Sequence, residues 1–211
     1  MLNILFYFAD IILLLNLIIY LKNYKKFSLA FKIFSYYLIL TFTIEFITSF
    51  YFESGKNNLY LNHYYFIGQF IILSFFFKEI LKKTILKNII FIILISVLLI
   101  LGLYYSIYPA KYYQFNILEI IITSLPLMAY GFMFLIEQID STNKKYIYIV
   151  SGFFLYILCS TLLFTTGNVK ADIKKMIWYS NAVLYIVYQI LIFVEWYKHF
   201  RKKELLVKKI V

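Results

Sequence analysis

Long apolar stretches alternate with short polar or charged breaks along the chain. Each stretch approaches the roughly 20 residues that a helix needs to cross about 30 Å of hydrocarbon, and none shows the alternation of a strand. Because lipid cannot hydrogen-bond a bare backbone, a helix is the expected structure of such a stretch. We therefore predict an all-α fold, a bundle of seven transmembrane helices over residues 3–21, 29–52, 59–77, 85–108, 116–136, 146–166 and 177–197.

Four of the breaks carry residues that favour turns. They have the sequences ESGKNN at 53–58, PAK at 109–111, DSTNKK at 140–145 and GNVK at 167–170. Glycine, proline, asparagine and aspartate interrupt helices, each for its own conformational reason. Because the breaks are short, the whole chain, 1–211, is expected to form one transmembrane domain.

The composition favours a membrane protein. Hydrophobic residues make up 64% of the chain and charged residues 15%, whereas about a quarter of a soluble domain is charged. A soluble fold of this size could not bury so much apolar surface. No Lys or Arg precedes the first apolar run, so we expect no cleavable signal peptide. The abundance of Ile, Phe, Tyr, Lys and Asn is typical of an AT-rich bacterial genome, and the expected location is the bacterial inner membrane, as a multi-pass protein.

The net charge of +11 could indicate a nucleic-acid partner, but the placement of the basic residues predicts membrane orientation instead. Of the 21 Lys and Arg residues, 16 fall in one set of loops and 5 in the opposite set. Loops rich in Lys and Arg stay in the cytoplasm. We therefore predict an outer N-terminus, a cytoplasmic C-terminus with a basic tail at 198–211, no nucleic-acid role, and a possible cytoplasmic signalling partner bound through the basic loops and tail.

Ionisable and amide side chains inside the predicted spans concentrate near one end of the bundle. At about 1.5 Å of rise per residue, Asp10 and Glu45 lie about 10 Å from the outer ends of their spans, and His63, Glu119 and Asn181 about 5 Å from theirs. Polar groups are costly inside a membrane, so each is a candidate for function. We predict a water-accessible outer pocket that binds a ligand, lined by Asp10, Glu45, His63, Gln69, Glu119, Trp178 and Asn181.

The same groups could instead pair with each other or with hydroxyl groups and hold the helices together. Glu45 and His63 are expected to meet, because the short 53–58 loop makes their helices antiparallel neighbours. A carboxylate beside an imidazole would make the site sensitive to pH near neutrality. Asn88 and Glu195 are expected at the inner boundary, within reach of water and basic neighbours, and therefore outside any site.

Several chemistries find no support in the sequence. Glu45 and Ser49 form an E-x-x-x-S pair on one helix face, which resembles the seven-helix membrane hydrolases that include alkaline ceramidases. That resemblance implies zinc held by several histidines, whereas the second histidine here, His199, belongs to the cytoplasmic side. Between Ile177 and Tyr197 there is no lysine for a retinal Schiff base. We predict no catalytic residue, no metal site and no cofactor.

A weak internal sequence repeat favours a transporter as an alternative. Residues 62–69 resemble 181–189, and residues 52–55 resemble 164–167. Such matches suggest a three-plus-one-plus-three repeat, and transporters are often built from internal repeats. Small sugar transporters of that plan also use proline hinges in several helices, whereas Pro126 is the one proline inside the spans predicted here.

Several segments resemble one uncharacterised family of small bacterial seven-helix proteins of about this length: NNLYLNHY at 57–64, QFIILSFF at 69–76, FNILE at 115–119, GFFLY at 152–156, and Trp178 with Asn181. The resemblance covers nearly the whole chain and implies a fold, not an activity. The family is similar in layout to the seven-helix sensory modules fused to bacterial histidine kinases.

The predicted spans and loops occupy all 211 residues and contain no Gly-rich phosphate loop. Any output is therefore expected to pass through a separate cytoplasmic protein. These expectations favour a sensory or signalling membrane module, with small-solute transport and metal-dependent intramembrane hydrolysis as the alternatives.

Overall fold

The computed structural model describes residues 2–22, 24–142, 144–165 and 171–201. Within those ranges the chain is helical and has no strand, which confirms the predicted all-α class. Seven α-helices follow one another: α1 (Leu2–Leu21), α2 (Leu29–Glu53), α3 (Leu61–Ile80), α4 (Thr84–Ile107), α5 (Ile117–Ile139), α6 (Ile147–Thr165) and α7 (Ala171–Glu195). Short 3-10 turns occupy Tyr24–Lys26 and Pro109–Tyr113, and a π-helical turn, Trp196–Phe200, follows α7.

Some helices extend beyond the predicted spans. α3 continues to Ile80 instead of residue 77, and α7 begins at Ala171 instead of residue 177. Hydropathy marks where a chain meets water, whereas helical hydrogen bonds can continue past that point. Lys78 is an example, because it lies inside the last turn of α3.

Four helices are long and apolar enough to cross a membrane: Leu29–Tyr51, Thr84–Ile107, Ile117–Ile139 and Met176–Phe200. Two shorter apolar helices, Tyr7–Leu21 and Ile147–Leu163, accompany them among the residues that the structure describes. A membrane protein follows from these lengths and compositions. The number of spans and their orientation belong to the proposal below.

The chain divides into two compact units, which are described separately. The central unit comprises residues 28–130, and the terminal unit comprises residues 1–27 together with 131–211.

In the central unit, α3 packs against α2 on one side and α4 on the other. The contact with α2 is close because α3 carries a glycine there: a Cβ added to Gly68 would lie 2.7 Å from Cδ2 of Leu40. Small residues let membrane helices approach in this way. The core of the unit is rich in aromatic side chains, with Phe34, Tyr37, Phe70 and Phe76 almost completely buried.

In the terminal unit, α7 packs against both α6 and α1. Gly152 brings α6 close to α7, since a Cβ there would lie 2.8 Å from Cδ1 of Leu191. Polar bonds join α1 to α7. Nδ2 of Asn16 donates to the backbone oxygen of Gln189 at 2.8 Å and to its Oε1 at 2.9 Å, and Tyr20 donates to the carbonyl of Ile192 at 3.0 Å.

Candidate functional site at His63 and Glu119

The first turn of α5 positions an acidic side chain. Asn116 is the residue before the helix, and its Oδ1 accepts the backbone N–H groups of Leu118 at 3.1 Å and Glu119 at 3.4 Å. An asparagine cap of this kind satisfies amides that the first turn leaves without partners. The same turn carries the partial positive charge of the helix dipole, which stabilises a carboxylate. Local sequence therefore starts α5 at this point and places Glu119 in its first turn.

Glu119 is paired with a histidine of α3. Oε2 of Glu119 lies 2.6 Å from Nδ1 of His63, and the two side chains are 1% and 3% exposed. A carboxylate can accept a hydrogen bond from the Nδ1–H of an imidazole, whether the ring is neutral or positively charged. The contact therefore leaves Nε2 as the nitrogen available to take up or release a proton.

A tyrosine of α4 completes a closed network. The hydroxyl of Tyr105 donates to Oε2 of Glu119 and lies 3.0 Å from Nδ1 of His63. It also accepts a hydrogen bond from Nδ2 of Asn116 at 2.9 Å. The first turn of α3, the last turn of α4 and the first turn of α5 thus meet through four polar side chains.

The 3-10 turn Pro109–Tyr113 covers this network with an aromatic ring. Tyr112 stacks on the imidazole of His63, with ring centroids 5.1 Å apart and planes at 26°. The pKa of Tyr112 is raised to about 12, chiefly by burial and also by a hydrogen bond with Tyr64. Its hydroxyl therefore stays protonated throughout the physiological range. Backbone groups of Tyr112 and Gln114 also lie within hydrogen-bonding reach of the imidazole.

Two atoms of the pair are buried without a hydrogen-bond partner, Nε2 of His63 and Oε1 of Glu119. Buried polar atoms in folded proteins are nearly always bonded, so an unbonded one needs an explanation. Nε2 can take up a proton, and either atom can bond to a water molecule or a small polar ligand. Among the residues that the structure describes, no three His, Cys, Asp or Glu side chains are grouped as metal ligands would be.

Two more of the predicted pocket residues belong to the central unit. Gln69 lies deeper along α3, is almost fully buried, and its Nε2 lies 3.4 Å from the hydroxyl of Tyr37. Glu45 is half-buried on α2. The hydrogen bonds described for His63 go to Glu119 and Tyr105, so the expected contact between Glu45 and His63 is not among them.

The other three predicted pocket residues belong to the terminal unit. Asp10 on α1 and Asn181 on α7 are half-buried, and Trp178 on α7 is exposed. Oδ1 of Asn181 is buried and has no hydrogen-bond partner. A single pocket lined by all seven residues stays a prediction.

Sequence reasoning missed Tyr105, Tyr112 and Asn116. A tyrosine near a helix end is typical of the aromatic belt at a membrane surface, so the positions of the two tyrosines give no sign of a buried site. Asn116 did carry a usable signal. An asparagine directly before an apolar run, with a glutamate three residues later, resembles a helix-start capping pattern.

The prediction that water reaches Glu195 is wrong. Its side chain is 0% exposed, because Oε1 accepts the backbone N–H of Tyr146 at 2.5 Å and Oε2 accepts that of Tyr148 at 3.0 Å. The carboxylate thus caps the start of α6 from the end of α7. Asn88, by contrast, is exposed as expected. Sequence alone gave no sign of the Glu195 contact, since its partners are backbone groups 47 and 49 residues away.

Comparison of the chain with protein-family models, with curated proteins and with solved structures gives no match, so the functional argument rests on the geometry of the site.

Proposed function

We propose that the chain is a seven-helix sensory or signalling module of the bacterial inner membrane, with its N-terminus outside and its C-terminus in the cytoplasm. The four long apolar helices support the membrane location, and the 16-to-5 distribution of Lys and Arg supports the orientation. In that orientation the His63 site lies at the outer end of the bundle, and the basic loops face the cytoplasm.

The observation that carries the proposal is the buried His63–Glu119 pair with its two unbonded atoms. Imidazole changes charge in the physiological pH range. In a low-dielectric surrounding, a change of charge or the arrival of a polar ligand alters hydrogen-bond energies more than it would in water. Such a change would act on three helix ends together, because α3, α4 and α5 each supply a member of the network.

A purely structural role explains less of the geometry. Hydrogen bonds between membrane helices contribute about 0.6 kcal/mol on average, and Tyr105 with Glu119 already supplies such a contact. A structural role alone leaves Nε2 of His63 and Oε1 of Glu119 unbonded, at about 1–3 kcal/mol for each such group, unless ordered water bonds to them. A site that receives a proton or a polar ligand accounts for both atoms.

Output in this proposal passes to a cytoplasmic protein. Lys25, Lys26, Lys82 and Lys83 are exposed at the ends that the orientation assigns to the cytoplasm. Exposed basic side chains favour an acidic partner surface.

Small-solute transport is the second function. The helix pairs α2–α3 and α6–α7 each form a closely packed hairpin. The expected repeat requires this, because α2 and α3 would correspond to α6 and α7. α1, however, packs on α7, whereas a three-plus-one-plus-three plan would group it with α2 and α3. Solute flux into proteoliposomes of the purified protein tests this alternative.

The test of the sensory proposal follows His63 by NMR in the purified, detergent-solubilised protein with labelled histidine. Replacing His199 with Gln leaves one imidazole signal to assign. We expect His63 to titrate and Tyr105 to change its environment with it, and we expect Glu119→Gln to remove that linkage while the fold persists. A Glu119→Gln protein that is less stable but keeps the same coupled titration would overturn the proposal.

A further inference from the structure

The connection between α5 and α6 in the terminal unit is held at both ends. Nζ of Lys144 donates to the backbone oxygen of Gln138 at 2.5 Å and lies 3.4 Å from that of Ile139, so it caps the end of α5. At the other end, the buried carboxylate of Glu195 accepts the N–H groups of Tyr146 and Tyr148. A short basic connection is thereby held between the side chains of Lys144 and Glu195.

The residue at the second of these contacts has a strained backbone. Tyr146 has a φ of 67°, a left-handed conformation that costs energy for any residue with a Cβ and is a genuine outlier for a bulky one. Its ring is buried and packs on Phe200 with centroids 5.6 Å apart. Strain of this kind persists where the surrounding contacts impose it, and it often marks a segment that moves.

The helix that carries Glu195 is itself irregular at this point. A π-helical turn, Trp196–Phe200, begins directly after Glu195. Such turns are rare and occur frequently at functional sites. Here the turn places Phe200 against Tyr146 and also against Phe27, whose ring centroid is 5.5 Å away. The side chains that face Glu195 from neighbouring segments are Tyr20 of α1 and Lys145 of the connection.

We propose that Glu195, Tyr146 and the π-helical turn form a latch with two positions. The structure shows the closed position, in which Glu195 holds the start of α6 and Tyr146 is strained. In the open position Glu195 leaves the amides, Tyr146 relaxes to a negative φ, and the basic connection with Lys144 and Lys145 separates from the ends of α5 and α7. Three features that meet at this point support the latch: a buried carboxylate on backbone amides, a left-handed tyrosine and a π-helical turn.

The latch does not depend on the outer site. It would supply a movable element at the end of the terminal unit that carries basic side chains, whatever signal opens it. Its failure in the experiment below would leave the His63 proposal intact, because the two experiments measure different units.

The test measures trypsin cleavage after Lys144 and Lys145, with amide exchange at residues 146–149, in the full-length protein in detergent. We expect Glu195→Gln to speed both by about tenfold or more, because the two amides use both carboxyl oxygens of Glu195 and glutamine has only one acceptor oxygen. Glu79→Gln, which removes an exposed carboxylate from the end of α3, is the matched control and should change neither. If Glu195→Gln prevents folding, Glu195→Asp keeps the charge but shortens the reach and should give the same local opening.

Two further variants isolate the strain. Tyr146→Gly accepts a positive φ without cost, whereas Tyr146→Ala removes the same ring and keeps a Cβ on the left-handed backbone. The latch predicts slower cleavage in Tyr146→Gly than in Tyr146→Ala. Unchanged cleavage in both Glu195 variants would overturn the proposal. So would an equal loss of amide protection along the whole of α6 and α7, since that result indicates a fixed brace.

Discussion

Oε2 of Glu119 lies 2.6 Å from Nδ1 of His63, and both side chains are almost completely buried. α3 and α5 supply the two groups, and Tyr105 of α4 bonds to both. We expect this pair to be energetically coupled. His63→Gln and Glu119→Gln should each lower thermal stability. The double variant should lose about 1 kcal/mol less stability than the sum of the two single losses. Thermal unfolding of all four proteins in one detergent gives the coupling energy, and strict additivity would contradict a direct contact.

Tyr105→Phe should destabilise the central unit by about 1 kcal/mol, the usual contribution of one hydrogen bond. The change deprives Asn116 of its acceptor and Glu119 of a donor. Tyr108→Phe is the matched control, because Tyr108 is an exposed tyrosine directly after the same helix. Melting temperatures of the two variants should differ, and equal values would remove Tyr105 from the network.

Asn116 has two roles that substitution can separate. Asn116→Ala should cost about 1 kcal/mol through loss of the helix cap. Asn116→Asp keeps the cap acceptor but removes the Nδ2 donor to Tyr105 and adds a second carboxylate near Glu119. We expect the aspartate variant to retain the helical circular dichroism of the wild type while shifting the titration of His63 in the NMR experiment. A titration identical to that of the wild type would argue that Asn116 acts on the helix alone.

Asn16 and Gln189 should respond unequally to replacement by leucine. Asn16→Leu leaves the whole amide of Gln189 unbonded in a buried position, whereas Gln189→Leu leaves Asn16 its bond to the backbone oxygen of residue 189. We therefore expect Asn16→Leu to be the more destabilising by about 1 kcal/mol. The double leucine variant should recover much of the loss, since no polar side chain then remains unbonded at the contact. Unfolding measurements that reverse the order of the single variants would contradict the described bonds.

The proposed orientation predicts which kind of reporter is active when it is fused to Val211. A reporter that is active in the cytoplasm should work when fused there, because 16 of the 21 Lys and Arg residues lie in the loops assigned to that side. The matched control is a second fusion that carries a reporter active in the periplasm at the same position. Activity of the second reporter, with silence of the first, would reverse the orientation and place the His63 site at the inner end of the bundle.

Much of the fold could be predicted because membrane helices are specified locally. Each apolar stretch satisfies its own backbone hydrogen bonds, so composition and turn residues suffice to locate each of α1 to α7, with the largest difference at the start of α7, which begins six residues before the predicted span. Helix ends were predicted less accurately where charged residues such as Lys78 continue a helix past the apolar stretch. Part of the site was local as well, since Glu119 and His63 were recognised as polar residues in apolar segments.

What the sequence determined by itself was the helical class, the membrane character and a short list of polar residues that need partners. The tertiary structure alone decided which partner each one has. His63 bonds to Glu119 because α3, α4 and α5 converge, and Glu195 is buried because α7 ends against the start of α6. The left-handed backbone of Tyr146 has the same origin. Burial and pairing depend on groups far apart in the chain, and hydropathy, as a local property, contains no information about how distant segments pack.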